Sequence, residues 1–230
     1  MLKLLIYTML IEEVMYYMKI GALIYPFFST QEITCLTSCL TVWFGEKIDY
    51  LAAEKTIYKS EEGFCVMPTK TFDEVEASEY DCIILPGIID PLPALYEDKN
   101  IEFLRKFKDT DTLIASISSS PLLLAKAGLL DNHKFTAGFF MQMVEEFTFI
   151  KGENFIHKPI VEDGNIITAI GFAFREFAEC VVRRLGFNPG EGFMSPVIRE
   201  YTEEELTFYW EDKDYEEFKE EIKNYKYKGI

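Results

Sequence analysis

A chain of 230 residues, 49% of them hydrophobic with 20 Phe and 13 Tyr, is long enough to bury one substantial core, so one domain with an extension is expected. Its formal net charge of −16 opposes nucleic-acid partners, whose phosphates must be met by Lys and Arg, and opposes docking on anionic membranes. The five cysteines, Cys35, Cys39, Cys65, Cys82 and Cys180, form an odd set without CxxC spacing, which points to reduced cytoplasmic thiols rather than to a secreted disulfide framework.

The N-terminal apolar run from Leu4 to Ile11 ends at Glu12 and Glu13 and is too short to span a bilayer. Residues 1–17 read as an upstream extension or a mis-assigned start, because Met18 directly precedes the first convincing strand. That strand, Lys19 to Tyr25 (KIGALIY), is a continuous apolar run ending at Pro26, the signature of a strand buried on both faces of a parallel sheet. Ser29 or Thr30 is placed to cap the next helix, in which Ile33, Leu36, Leu40 and Phe44 recur before Gly45 ends it. Ile48 to Ala53 forms a second strand, giving a βαβ unit. A hairpin or edge strands fit Glu54 to Phe72, around Gly63 and Pro68.

Tyr80 to Leu85 (YDCIIL) is another buried strand, stopped by Pro86 and Gly87, and a helix follows from about Pro93 to Phe107. Leu113 to Ile117 is a strand that runs through a tight small-residue turn into a helix from Pro121 to Ala127, ended by Gly128. A strained strand-to-helix turn of this kind projects one side chain above a sheet edge and turns backbone N–H groups toward it. Its tip is Ser118. Strands are expected at Lys134 to Ala137 and Ile156 to Val161, with Asp163, Gly164 and Asn165 turning into Ile166 to Ala169, and a helix from Phe174 to Leu185. The pattern predicts an α/β domain over 18–188, a doubly wound, mostly parallel sheet flanked by helices, with functional residues at the carboxyl ends of its strands.

Residues 189–230 form an acidic, aromatic C-terminal extension. Between Glu200 and Glu221 eleven acids face two lysines, a charge run of the kind that usually serves solubility. Tyr215, Phe218, Ile222 and Tyr225 place an aromatic stripe on one helix face. That stripe must bury against its own domain, a second subunit, or the cleft above the elbow as a lid. Cys35 and Cys39 share a helix face but lack further ligands nearby, so they read as buried thiols and no metal is expected. Cys65, in the hairpin, is the one candidate for a reactive thiol. Phosphate-binding glycine motifs are absent, so no cofactor is expected.

Four ordered segments carry a family resemblance: YPFFSTQE with Glu32, YDCIILPG with Pro86 and Gly87, IASISSSPLLLAKAGLLDNHKFTAG, and PIVEDGNIITA. Together they make the chain, over roughly Lys19 to Phe187, similar to the ThiJ/PfpI family of the class I glutamine-amidotransferase-like fold, a flavodoxin-like α/β sandwich. The resemblance implies a homodimer and an elbow nucleophile, a cysteine in active members, with a nearby acid and often a histidine. Here Ser118 occupies the cysteine position, Gly138 the histidine position, and Glu32 alone remains of the reactive set. A hydroxyl, unlike a thiol, needs an adjacent base to lose its proton during attack, and neither His133 nor His157 is placed by sequence to serve.

Two functions follow as expectations. The first is a non-catalytic protein that binds a small metabolite or protein partner at the former nucleophile cleft, with Ser119, Ser120 and Gly87 lining it and the N–H groups of Ser119 and Ser120 forming an anion or carbonyl-oxygen pocket. The alternative is a hydrolase, amidotransferase-like or glyoxalase-type enzyme using Ser118 with Glu32 as base. A third reading, an oligomerisation module, rests on the aromatic tail.

Overall fold

The computed structural model describes residues 18–190, 194 and 199–226; the extension expected over 1–17 lies outside them. The continuous apolar runs form the centre of a sheet: β1 (Ile20–Leu23), β2 (Ile48–Ala52), β6 (Cys82–Leu85) and β7 (Leu113–Ile117). Between β2 and β6 the chain makes the small hairpin β3 (Tyr58–Lys59) and β4 (Cys65–Val66) and the edge strand β5 (Lys70–Thr71). The hairpin β8 (Ile160–Asp163) and β9 (Ile166–Ala169) turns at Gly164, whose φ is 62°. The main sheet has seven strands in the order β5-β2-β1-β6-β7-β9-β8, every pair parallel except β8 with β9. This is the doubly wound, flavodoxin-like α/β arrangement that the alternation of strands and helices predicts.

Alternate residues of each central strand serve opposite cores, as the two-residue period requires. In β6, Cys82 and Ile84 join the face covered by α1 (Gln31–Ser38) and a late helix, while Ile83 and Leu85 join the other. The helices on that second face are α2 (Leu92–Leu95), α3 (Asp98–Arg105), α4 (Pro121–Ala127) and α5 (Met141–Glu146). The late helix is α6 (Phe174–Arg184), which packs on α1. The last helix, α7 (Asp212–Lys226), adds Phe218 and Ile222 to the core beside α4 and α5.

Several elements differ from the sequence reading. The helix after β1 widens into a π-helix at Cys39–Trp43 before Gly45, which has φ 73°. The helix expected over Pro93 to Phe107 breaks at Tyr96 and Glu97, and Glu97 turns extended and accepts the Lys99 N–H. Lys134 to Ala137 forms no strand, only an isolated bridge between Phe135 and Phe155. Its amides are spent elsewhere: the Lys134 N–H goes to Asp163 and the Thr136 N–H to the Thr168 hydroxyl. The strand expected from Ile156 begins only at Ile160, after Pro159, which has no N–H to give a ladder. Helix α5 was not foreseen.

Candidate functional site: an elbow serine beside a buried glutamate

The turn between β7 and α4 holds Ser118 at φ 62°, a left-handed conformation that a residue with a Cβ adopts only when its surroundings impose it. Hydrogen bonds on both sides impose it here: the Ser118 N–H donates to the Ala169 carbonyl at 2.8 Å, and the Ser118 carbonyl accepts from the Gly138 N–H at 2.7 Å. Ser119 and Ser120 lace the turn to β6. The Ser119 hydroxyl accepts the Ile88 N–H at 3.2 Å and donates to the Ile88 carbonyl. The fully buried Ser120 hydroxyl accepts from the Ile117 N–H at 3.1 Å and meets the Leu85 carbonyl at 3.0 Å. The Ser120 N–H, expected to face an anion, is already given to the Ile117 carbonyl at 3.2 Å. Ser120 therefore supports the turn from behind.

Glu32 reaches this turn from the first turn of α1. Neither Ser29 nor Thr30 caps that helix with its side chain as the sequence suggested. Instead Glu62, from the loop of the β3–β4 hairpin, accepts the Gln31 N–H at 2.8 Å and lies 3.4 Å from the Ser29 hydroxyl. Burial works against the charge of Glu62, but the Gln31 N–H and the hydroxyls of Ser60 and Thr30 outweigh it and hold its pKa at about 2. The helix start is thus fixed by a full negative charge at its positive end.

Two glycines make room for the Glu32 carboxyl. A Cβ on Gly87, where the chain leaves β6, would lie 1.7 Å from Glu32 Oε2 and 2.6 Å from the Ser118 Cβ. A Cβ on Gly171, just after β9, would lie 2.3 Å from Glu32 Oε1 and 3.1 Å from Ser118 Oγ. The carboxyl is gripped between two strand ends with the Ser118 hydroxyl against it. Burial raises its pKa to about 7; the Ser118 hydroxyl and the Gly87 amide pull it back, while Glu61 and Glu62 add to the rise. Oε2 itself is buried and in hydrogen-bonding geometry with no donor, which is tolerable for a carboxyl that spends much of its time neutral.

Above the elbow opens a cleft of about 460 Å³. Ser118, Ser119 and Gly138 form its floor with Glu32, and Phe139, Phe140 and Met143 one side. The opposite wall is the C-terminal segment: Trp210, Asp214, Glu217, Phe218 and Glu221. The aromatic stripe thus packs on its own domain. Tyr96 stacks on Tyr225 with centroids 5.2 Å apart, Phe147 meets Phe218 edge-on, and the Tyr215 hydroxyl donates to Glu146 at 2.6 Å. The same segment walls the cleft. Gln142 of α5 clasps the Trp210 backbone at both its N–H and its carbonyl (3.3 and 3.2 Å). Gly171, Glu61 and this acidic wall went unnoticed in the sequence because nothing local connects them to the elbow.

No imidazole reaches the site. The His133 ring lies 3.8 Å from Asp163, beside the β8–β9 turn, and His157 meets the Thr207 hydroxyl at 3.1 Å. At Gly138 a Cβ would come within 3.5 Å of Ser118 Oγ, so the position that resembles the family's histidine does lie beside the elbow. Burial raises the thiols of Cys35 and Cys39, and Cys65 is exposed in β4. Among the described residues no group of three His, Cys, Asp or Glu side chains is arranged to hold a metal, and no helix is long and apolar enough to cross a membrane.

Comparison with known proteins agrees with this geometry. The model of the DJ-1/PfpI family matches residues 18–184. A Pyrococcus furiosus protein named deglycase PfpI is 29% identical over 127 residues, 54% of this chain and 74% of its own length. A Bacillus subtilis protein named uncharacterized protease YoaZ is 33% identical over 143 residues, 60% of this chain and 66% of its own. Among solved structures, a ThiJ/PfpI family protein from Bacillus anthracis superposes with a TM-score of 0.68 at 24% identity, over 78% of this chain and 88% of that one.

Proposed function

The chain belongs to the DJ-1/PfpI family, and from that premise and the serine at its elbow we propose a protein that binds a small metabolite in the cleft above Ser118 without forming a covalent intermediate on it. The observation that carries this reading is an elbow hydroxyl with no imidazole beside it: His133 lies near Asp163 and His157 meets Thr207. An alcohol at this position needs a base that is both ionised and oriented on its proton. Glu32 lies against that hydroxyl with a pKa of about 7 and is the one base in reach among the described residues, and no imidazole stands beside it to relay the proton. The cleft itself, concave, partly aromatic and closed by a segment pinned through Gln142 and Tyr215, has the form of a ligand site.

The test is a turnover screen with ester, amide and 2-oxoaldehyde substrates, run on the parent chain and on Ser118→Ala. The expected result is no turnover that depends on Ser118. A rate above background that Ser118→Ala abolishes overturns the proposal.

A second reading, a hydrolase, amidotransferase-like or glyoxalase-type enzyme with Ser118 as nucleophile and Glu32 as base, is favoured by one observation. The strained φ of 62° is retained at Ser118, and strain of this kind gathers at working sites. The relative named a deglycase belongs on this side of the balance. A cytoplasmic homodimer completes the proposal; sedimentation equilibrium checks the assembly, and a monomer at high concentration contradicts it.

A further inference from the structure

Resting on the reading of the cleft as a ligand site, we propose that its ligand is a small organic cation, an ammonium or guanidinium group on an apolar body, held between carboxylates and aromatic rings. Six acids line the cavity: Glu32, Glu61, Asp90, Asp214, Glu217 and Glu221, with no Lys, Arg or His among the described lining residues. Acidic runs usually face water. Here part of the run, while still exposed, lines the cleft over the elbow.

The pairing of charges along α7 makes that cleft-lining face distinct. Lys213 pairs with Glu217 at 3.4 Å, Lys219 with Glu216, and Lys223 with Glu220. Asp214 and Glu221 form no ion pair with another described residue, and Asp90, across the cleft, accepts the Leu92 N–H at 3.2 Å and pairs with no described cation. Burial raises the Glu221 carboxyl and the nearby Asp90 raises it further, so like charges already strain against each other there. A cation placed in the cavity relieves that crowding, whereas an anion adds to it.

The remaining walls suit the same ligand. Phe140 stacks on Trp210 and Phe218 lies tilted against it, each at 4.3 Å between centroids, and all three rings line the cavity. These rings give an apolar wall that shelters the hydrocarbon of the ligand while the carboxylates meet its charge.

The test uses Trp43→Phe, which leaves Trp210 as the sole tryptophan, since the chain has two. Benzylamine, benzyl alcohol and benzoate share one ring and differ in charge, and each is titrated against Trp210 fluorescence at pH 7. The expected result is saturable binding of benzylamine at least about tenfold tighter than benzyl alcohol, with benzoate silent. Asp214→Asn with Glu221→Gln should weaken benzylamine about fivefold or more and leave benzyl alcohol unchanged. If benzyl alcohol or benzoate binds as tightly, or the double variant leaves benzylamine unaffected, the cation assignment is overturned while the cleft remains a ligand site. Silence from all three probes overturns both.

Discussion

Glu32 holds its proton more tightly in the folded chain than in the unfolded one, because burial and the neighbouring Glu61 and Glu62 favour the neutral acid. Between the ordinary value of 4.5 and the folded value of about 7, the folded state carries the extra proton. Stability therefore falls as pH rises through that window, by up to about 3 kcal/mol. Glu62 acts in the opposite sense: its folded pKa of about 2 contributes stability that is complete above its unfolded value and is lost as pH falls toward 2. Urea unfolding of the parent and Glu32→Gln at pH 5 and pH 8 checks this. The variant should gain on the parent at pH 8, and an equal difference at both pH values contradicts the buried, raised carboxyl. Gly87→Ala offers a second view of the same group. Its Cβ occupies the place of Glu32 Oε2, so the carboxyl must leave, the pH 5 to pH 8 difference should vanish, and about 2 kcal/mol of stability should go with it. A variant that keeps the parent's pH profile would show the grip of the two glycines to be looser than described.

At the scale of elements, the strongest device is one that sequence could not reveal. Ser29 and Thr30 carry the local signal for a helix cap, yet α1 is capped by Glu62, 31 positions from Gln31. Local patterns register only the partner that lies close in the chain. Glu62→Ala should cost about 1 to 2 kcal/mol at pH 7 by urea unfolding, with Ser29→Ala near neutral; the reverse ranking would return the cap to Ser29. The tail gives the converse case. The spacing of Tyr215, Phe218, Ile222 and Tyr225 made an amphipathic helix legible, but its acceptor surface, with Phe147 and Tyr96, lies far off in sequence. Phe218→Ala should release α7 by about 3 kcal/mol, seen as faster amide exchange in 212–226 with the sheet amides unchanged. Simultaneous loss of protection in the sheet would make the tail part of the global folding unit.

For the whole molecule, legibility followed burial. Strands buried on both faces, such as Cys82–Leu85 and Leu113–Ile117, announce themselves as unbroken apolar runs, so the mostly parallel sheet and the elbow turn could be read from the sequence, though not the strand order. Pieces at the rim, such as Lys134 to Ala137, are β-like in composition but have their amides drawn to side chains, and composition does not register that. The cleft is the least legible feature, since Glu32 and Glu221 line it from distant parts of the sequence. The net charge of −16, gathered partly on that wall, should make the fold salt-dependent: added NaCl screens the repulsion and raises Tm. A Tm that is flat or falling with NaCl would mean the acids are already compensated.

The central claim, that Ser118 is held at a retained elbow without the means to attack, is tested most directly by intact-protein mass spectrometry after incubation with a fluorophosphonate. The account predicts an unmodified mass for the parent chain, as for Ser118→Ala. A single adduct on the parent that maps to Ser118 would contradict it.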